Sequence, residues 1–172
     1  RLTREIIVIR RDLADSVVRK YCLAKGIAVA LNPIPIADIL AAIATDAAMI
    51  IHLSRVYGLP INRSEAGSLL KTISIQLAFL MGTVWAMNLA AAALKGISLG
   101  LSTVVTAGAQ GAVAWYGTYV VGKAAEQYFA QGKSWGEGGP KRAVQDILDS
   151  LDRESLLAQA REDILARLKP LF

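Results

Sequence analysis

From Thr72 to Leu94 the chain carries no formal charge, and after the lone Lys95 it carries none again from Gly96 to Gly122. Each run has the roughly 20 residues an α-helix needs to cross the hydrocarbon core of a bilayer. Two arrangements satisfy this pattern: a membrane hairpin, or the central helix pair of a very apolar soluble bundle. Elsewhere no sustained two-residue alternation of apolar and polar positions occurs, and Ala and Leu are the commonest residues, as suits helices. The pattern predicts an all-α fold of about six helices, with 72–94 and 96–122 as a central antiparallel pair.

Prolines, glycines and capping residues divide the chain. A first helix is expected over residues 3–30, charged early and apolar late, with Arg4, Arg10, Arg11, Arg19, Lys20 and Lys25 among its basic positions. It stops at Asn32-Pro33-Ile34-Pro35, because proline lacks the N–H and holds the preceding residue extended. A second helix runs from Ile36 to Tyr57, with Asp38 in its first turn, where a carboxylate interacts well with free N–H groups. Gly58 and then Pro60 end it, in the order a helix C-terminus prefers. Asn62 and Glu65 have capping-box spacing and open a long third helix, Arg63 to Leu94. The fourth starts within Gly96–Thr103 and continues to Ala130. The segment Gly132–Pro140 reads as a loop, and Pro140 suits the first turn of a fifth helix that ends near Ser150. Asp152 caps a sixth that reaches Lys169. The organisation is one helical domain over 1–172: a basic N-terminal helix (1–31), an apolar core (36–131), a Gly-rich loop (132–139) and amphipathic C-terminal helices (140–172).

The fourth helix is rich in small residues. Ala107 and Gly111, and likewise Gly108 and Ala112, stand four apart and form a candidate helix-packing face, on which backbones approach closely. Each glycine in a water-exposed helix costs about 1 kcal/mol, so close packing has to offset it. The face serves equally a membrane pair, a tight bundle or a homo-oligomer.

Composition weighs toward the membrane. Hydrophobic residues make up 54% and charged ones 19%, more apolar surface than a water-soluble fold usually hides. The net charge of +5 suits either nucleic acid or an anionic membrane surface. Aromatics, at 6%, do not interleave a basic stripe, so nucleic acid is not the expected partner. Arg63 and Lys71 precede the first run; Lys123, Lys133, Lys141 and Arg142 follow the second; only Lys95 lies between. A hairpin would therefore keep both basic ends on the cytoplasmic side. Against insertion, Trp85 and Trp115 fall inside the runs, as do Gln76, Asn88 and Gln110, whose amides need partners in lipid. The chain begins at Arg1 and not at Met, as a fragment or processed product would, and the short run Ile6–Ile9, ringed by arginines, is no signal peptide.

The segment Asn32-Pro33-Ile34-Pro35-Ile36-Ala37-Asp38, with Thr45-Asp46, Met49-Ile50 and Tyr57-Gly58 after it, is more specific. It resembles a family of domains of unknown function found after Era-like small GTPase domains and in YcjF-like membrane proteins. Met81-Gly82-Thr83-Val84-Trp85, Thr106-Ala107-Gly108-Ala109-Gln110-Gly111 and Tyr128-Phe129-Ala130-Gln131-Gly132-Lys133-Ser134-Trp135-Gly136 resemble its cyanobacterial-type branch. The resemblance covers about residues 15–165 and implies an all-helical domain attached to a GTPase domain and to a membrane. It supplies no catalytic residue. The GTPase itself is not in this chain: Gly132-Lys133-Ser134 ends like a phosphate loop, but Gln127 stands where its first glycine belongs.

Candidate chemistry is sparse. Asp38 and Asp46, eight apart on one helix, lie on similar faces; the pair suits acid–base work or an intramembrane ion path, but a cap and an ion pair explain them more simply. His52, with Arg55 beside it, is a third polar position and marks the helix's polar end. The single cysteine, Cys22, forms no intrachain disulfide and reads as a small buried hydrophobe. No Cys/His spacing suits a metal, and no convergent polar groups suggest a cofactor. The expectation is a non-catalytic membrane-association or regulatory module, cytoplasmic-side and without cofactor, partnered by a GTPase domain in cis and by lipid. The other reading is a soluble oligomerisation or interaction module.

Overall fold

The computed structural model describes residues 2–31, 35–80 and 103–171, with side chains placed for 4–31, 44–80 and 111–170. Six α-helices follow one another: α1 Leu2–Leu31, α2 Pro35–Val56, α3 over 63–80, α4 Thr103–Ala130, α5 Gly139–Ser150 and α6 Arg153–Leu168, with a closing 3-10 turn Lys169–Leu171. No strand occurs among the described residues. The fold is all-α, as the pattern requires.

Local chemistry sets the helix ends. Gly58 takes φ +69° after α2, a conformation open to glycine without a Cβ penalty. The Asn62 carboxamide oxygen accepts from the Glu65 N–H at 2.8 Å and starts α3. Gly132 (φ +70°) and Lys133 (φ 64°) close α4, with the Lys133 N–H donating to the Tyr128 carbonyl at 2.9 Å. Pro140 stands in the first turn of α5, and the Asp152 carboxylate accepts from the Ser155 N–H to cap α6.

α4 is the central element: α1, α2, α5 and α6 all pack on it, α1 most extensively. α1 runs antiparallel to α4, since Asp15 and Val18 meet Lys123 and Gly122 while Gly26 meets Gly111. The two backbones touch at that last crossing. A Cβ on Gly111 would sit 2.6 Å from the Gly26 carbonyl oxygen, and one on Gly26 would sit 2.7 Å from Ile164 Cδ1 of α6. Tyr116, Phe129, Met49, Ile50, Leu53, Ile73 and Ile164 are the large side chains at the centre of the core, each worth about 1.5–3 kcal/mol when fully withdrawn from water.

The start of α3 lies beside the end of α4. Ser64, Glu65, Ser68 and Thr72 line a cleft of about 390 Å³ with Tyr128, Lys133 and Trp135, and Lys133 reaches Glu65 at 3.8 Å. The antiparallel pair on view at the centre is α1 with α4; of the expected pair 72–94 with 96–122, only the start of the first run and the later part of the second are described. The far end of that pair, with Met81, Trp85, Met87, Asn88 and Lys95, lies outside the described residues. Among the described residues no helix is long and apolar enough to cross a membrane. Trp115 is buried and stacks on Tyr119, ring centroids 5.1 Å apart.

Every residue of α1 from Arg4 to Leu13 is exposed, Ile6, Ile7, Val8 and Ile9 included, and the helix first enters the core at Ala14.

Candidate functional site

Two polar clusters tie α1, α2 and α4 together. The inner one centres on Asp46, which is 6% exposed. Lys25 Nζ of α1 donates to Asp46 Oδ2 at 2.7 Å, and the buried Thr118 hydroxyl of α4 donates to Oδ1 at 3.0 Å. Both carboxylate oxygens are engaged and the charge is matched. The group is built as a clamp across three helices, with no oxygen left aimed at a substrate.

The outer cluster surrounds Lys123, which follows the second uncharged run at once. Its ammonium contacts Asp15 Oδ1 at 3.0 Å and Glu126 Oε2 at 3.3 Å. Arg19 holds the other Asp15 oxygen at 3.0 Å, and the Tyr57 hydroxyl donates to Glu126 Oε1 at 3.2 Å. Lys123 and Arg19 also lie over the Tyr119 ring, 5.4 and 5.5 Å from its centroid, a favourable placement for cations. This chain of charges borders a cleft of about 540 Å³ whose walls include Arg10, Arg11, Tyr57, Glu126, Ile147 and Leu151.

Protonation states follow from the geometry. Burial alone would raise the Asp15 pKa, but the Lys123 and Arg19 cations hold it below its ordinary value of 3.8. Burial alone would lower that of Lys123, but Glu126 and Asp15 hold it above 10.5. Burial, reinforced by Glu126, pushes the Tyr57 phenol up to about 12. None of these three shifted groups titrates near neutrality, where a general acid or base works best.

The family model described as "Domain of unknown function (DUF697)" matches residues 1–153. The chain belongs to that family. Comparison with curated proteins and with solved structures gives no match. The family carries no catalytic description, and the matched stretch holds both polar clusters of this DUF697 domain. α6 lies beyond the match, yet its Ile164 closes the Gly26–Gly111 crossing.

The expected site residues of the DUF697 domain part company. Asp46 is buried and ion-paired. Asp38 stands in α2 with its side chain outside the described ones, so no juxtaposition of the two carboxylates is on view. His52 is exposed and meets the Tyr21 ring edge-on at 6.1 Å, bordering a shallow cleft with Arg55 and Arg63. Gly111 and Ala112 are buried, Gly111 against α1 of the same chain; Ala107 and Gly108 lie in α4 with side chains outside the described ones. Cys22 is fully buried, and desolvation raises its pKa, so it stays an unreactive thiol. Lys133 and Ser134 form the α4 terminus, and Trp135 packs back on Tyr128 at 4.8 Å. Among the described residues no group of three His, Cys, Asp or Glu is placed to hold a metal ion.

Sequence reasoning missed Asp15, Lys123, Glu126, Tyr57, Lys25 and Thr118. One signal was available: Lys123 and Glu126 are the first charges after the 27 uncharged residues from Gly96 to Gly122. A charge kept deep in an apolar helix usually has a partner.

Proposed function

We propose that this DUF697 domain is a non-catalytic helical module that holds an Era-like GTPase domain at the cytoplasmic face of a membrane and responds to its nucleotide state. The observation that carries this reading is the apolar end of α3. Ile75 is 45% exposed and Phe79 is 80% exposed, within an uncharged run that continues to Leu94. Large side chains left bare in sequence with more apolar chain are the pattern of a surface that meets lipid. Leu31, 48% exposed, adds to it from the end of α1.

One group of charged residues lies where α3 starts and α4 ends. Arg10, Arg11, Lys123, Glu126, Glu65 and Lys133 lie near the α4 C-terminus. Basic residues flanking apolar segments favour the anionic cytoplasmic leaflet. The attached GTPase rests on the family resemblance in the Pro-rich opening and the Tyr-Gly helix end. Its influence would act through contacts that differ between nucleotide states, since only differential contacts shift an equilibrium. No cofactor in this chain is invoked.

Alkaline carbonate extraction of membranes from cells expressing the chain tests the anchor. The expected result is retention in the pellet and release by detergent. Recovery in the carbonate supernatant overturns membrane insertion. The coding sequence upstream of Arg1 tests the other half: a phosphate-loop motif is expected there, and an intact upstream frame without one removes the GTPase from the proposal.

A further inference from the structure

The exposed first third of α1 carries a feature that neither lipid anchoring nor the bundle uses. Ile6, Ile9 and Leu13 are 44%, 57% and 52% exposed, and they follow one another at spacings of three and four. Leu2 precedes Ile6 by four, extending the same register in sequence. This spacing fits the seam of a two-stranded coiled coil, with 6 and 13 at a positions and 2 and 9 at d positions. The next positions of the register are Ser16 and Lys20, so the seam ends where Ala14, Val17 and Val18 take α1 into the core. Its ten exposed residues span about 15 Å of helix.

The flanking charges identify the occupant. In this register Glu5 and Asp12 are g positions and Arg10 is an e position. A parallel in-register copy brings each Glu5 opposite the partner's Arg10, five residues on, which is the g-to-e pairing that sets partner choice. An antiparallel copy would instead bring Glu5 toward Asp12, with like charges facing. Neither Glu5 nor Arg10 forms an ion pair with another described residue. Arg10 lies over the Gly58 turn at the edge of the seam, on a side chain long enough to reach outward. The geometry points to parallel self-association: a second copy of this chain docks on the Ile6–Ile9–Leu13 stripe of α1. The inference stands apart from the membrane reading, because the stripe lies at the charged end of the bundle.

Cysteine crosslinking on the full 172-residue chain tests it, in a Cys22→Ala background. Ile6→Cys, Ile9→Cys and Leu13→Cys should each form disulfide-linked homodimers on mild oxidation, and Val8→Cys, off the seam, should not. Linkage at only one of the three positions would overturn the parallel register. Linkage at none, or equally at Val8→Cys, would overturn the interface. A charge exchange measured by sedimentation equilibrium supplies the second test. Glu5→Arg and Arg10→Glu should each weaken the dimer about tenfold by placing like charges together, and the double variant should return to within about threefold of the parent. Both residues are exposed, so helicity by circular dichroism should not change. A double variant as weak as the singles, or a parent chain that stays monomeric, overturns the proposal.

Discussion

Asp46 shows how much a single carboxylate does in an apolar bundle. Its ion pair with Lys25 is largely shielded, the two side chains being 9% and 15% exposed. Removing one partner of such a pair leaves the other charge without compensation, at a cost of about 3 kcal/mol or more. Asp46→Ala should therefore lower unfolding stability by about that much, whereas Asp46→Leu with Lys25→Met should recover most of it. Urea unfolding decides, and a loss under about 1 kcal/mol for Asp46→Ala would show that the pair does not carry the packing. The outer cluster gives a pH dependence. The Asp15 pKa is lower in the fold than its ordinary 3.8, so its contribution is present above that value and is lost as pH falls through the folded pKa. Lys123 and Tyr57 are raised from 10.5 and 10.0, so theirs are present below those values and are lost as pH rises through the folded ones. Stability should be flat between these limits and fall at both ends. In Lys123→Met the acid-side loss should be smaller, because Asp15 then lacks the stronger of its two cations; an unchanged acid limb would assign it to other carboxylates. At this scale the sequence marked Asp46 as a residue that pairs with a base, but not which base. Lys25 is 21 positions away and Thr118 is 72, and no local spacing encodes either.

Helices were the most legible level, because their ends are written in local chemistry. The capping pair Asn62 and Glu65, the Asp152 cap, Pro140 at the head of α5 and Gly58 after α2 all act where the sequence placed them. The small residues of α4 were legible as a packing surface but not by partner. Gly111 belongs to the crossing with Gly26, whereas a Cβ on Gly117 of the same helix would meet nothing within 4 Å. The two glycines should thus respond oppositely to one change. Gly111→Ala pushes a methyl against a backbone carbonyl and should cost about 1–3 kcal/mol. Gly117→Ala gains helix propensity at no steric cost and should stabilise by about 0.5–1 kcal/mol. Thermal melts of the two variants check this, and a destabilising Gly117→Ala would mean that its open side is covered by a partner. Such a result would also redirect any search for an oligomer away from Gly111, which is already occupied within the chain.

At the scale of the whole molecule, the uncharged runs were plain in the sequence, but their surroundings were not. That α1 lies against α4, and that its first ten described side chains stand free of the core, depends on contacts more than a hundred residues apart, such as Asp15 with Lys123. The resulting polarity, charged at the α4 C-terminus and apolar toward Phe79, makes a definite topological prediction. Cys22 is buried, so an impermeant maleimide has little background to contend with in a chain whose single cysteine it is. Ser134→Cys, exposed at the charged end, should be labelled only after cells are opened, because basic flanks stay cytoplasmic. Lys95→Cys, between the two uncharged runs, should be labelled in intact cells, because a hairpin of two runs of roughly 20 residues carries its turn across the bilayer. Labelling of Ser134→Cys in intact cells would reverse the orientation. Protection of Lys95→Cys in intact cells, with labelling on lysis, would mean that the runs do not cross. The apolar end of α3 would then have to be covered by protein, since a phenylalanine as bare as Phe79, continuous with so long an uncharged stretch, is costly to leave in water.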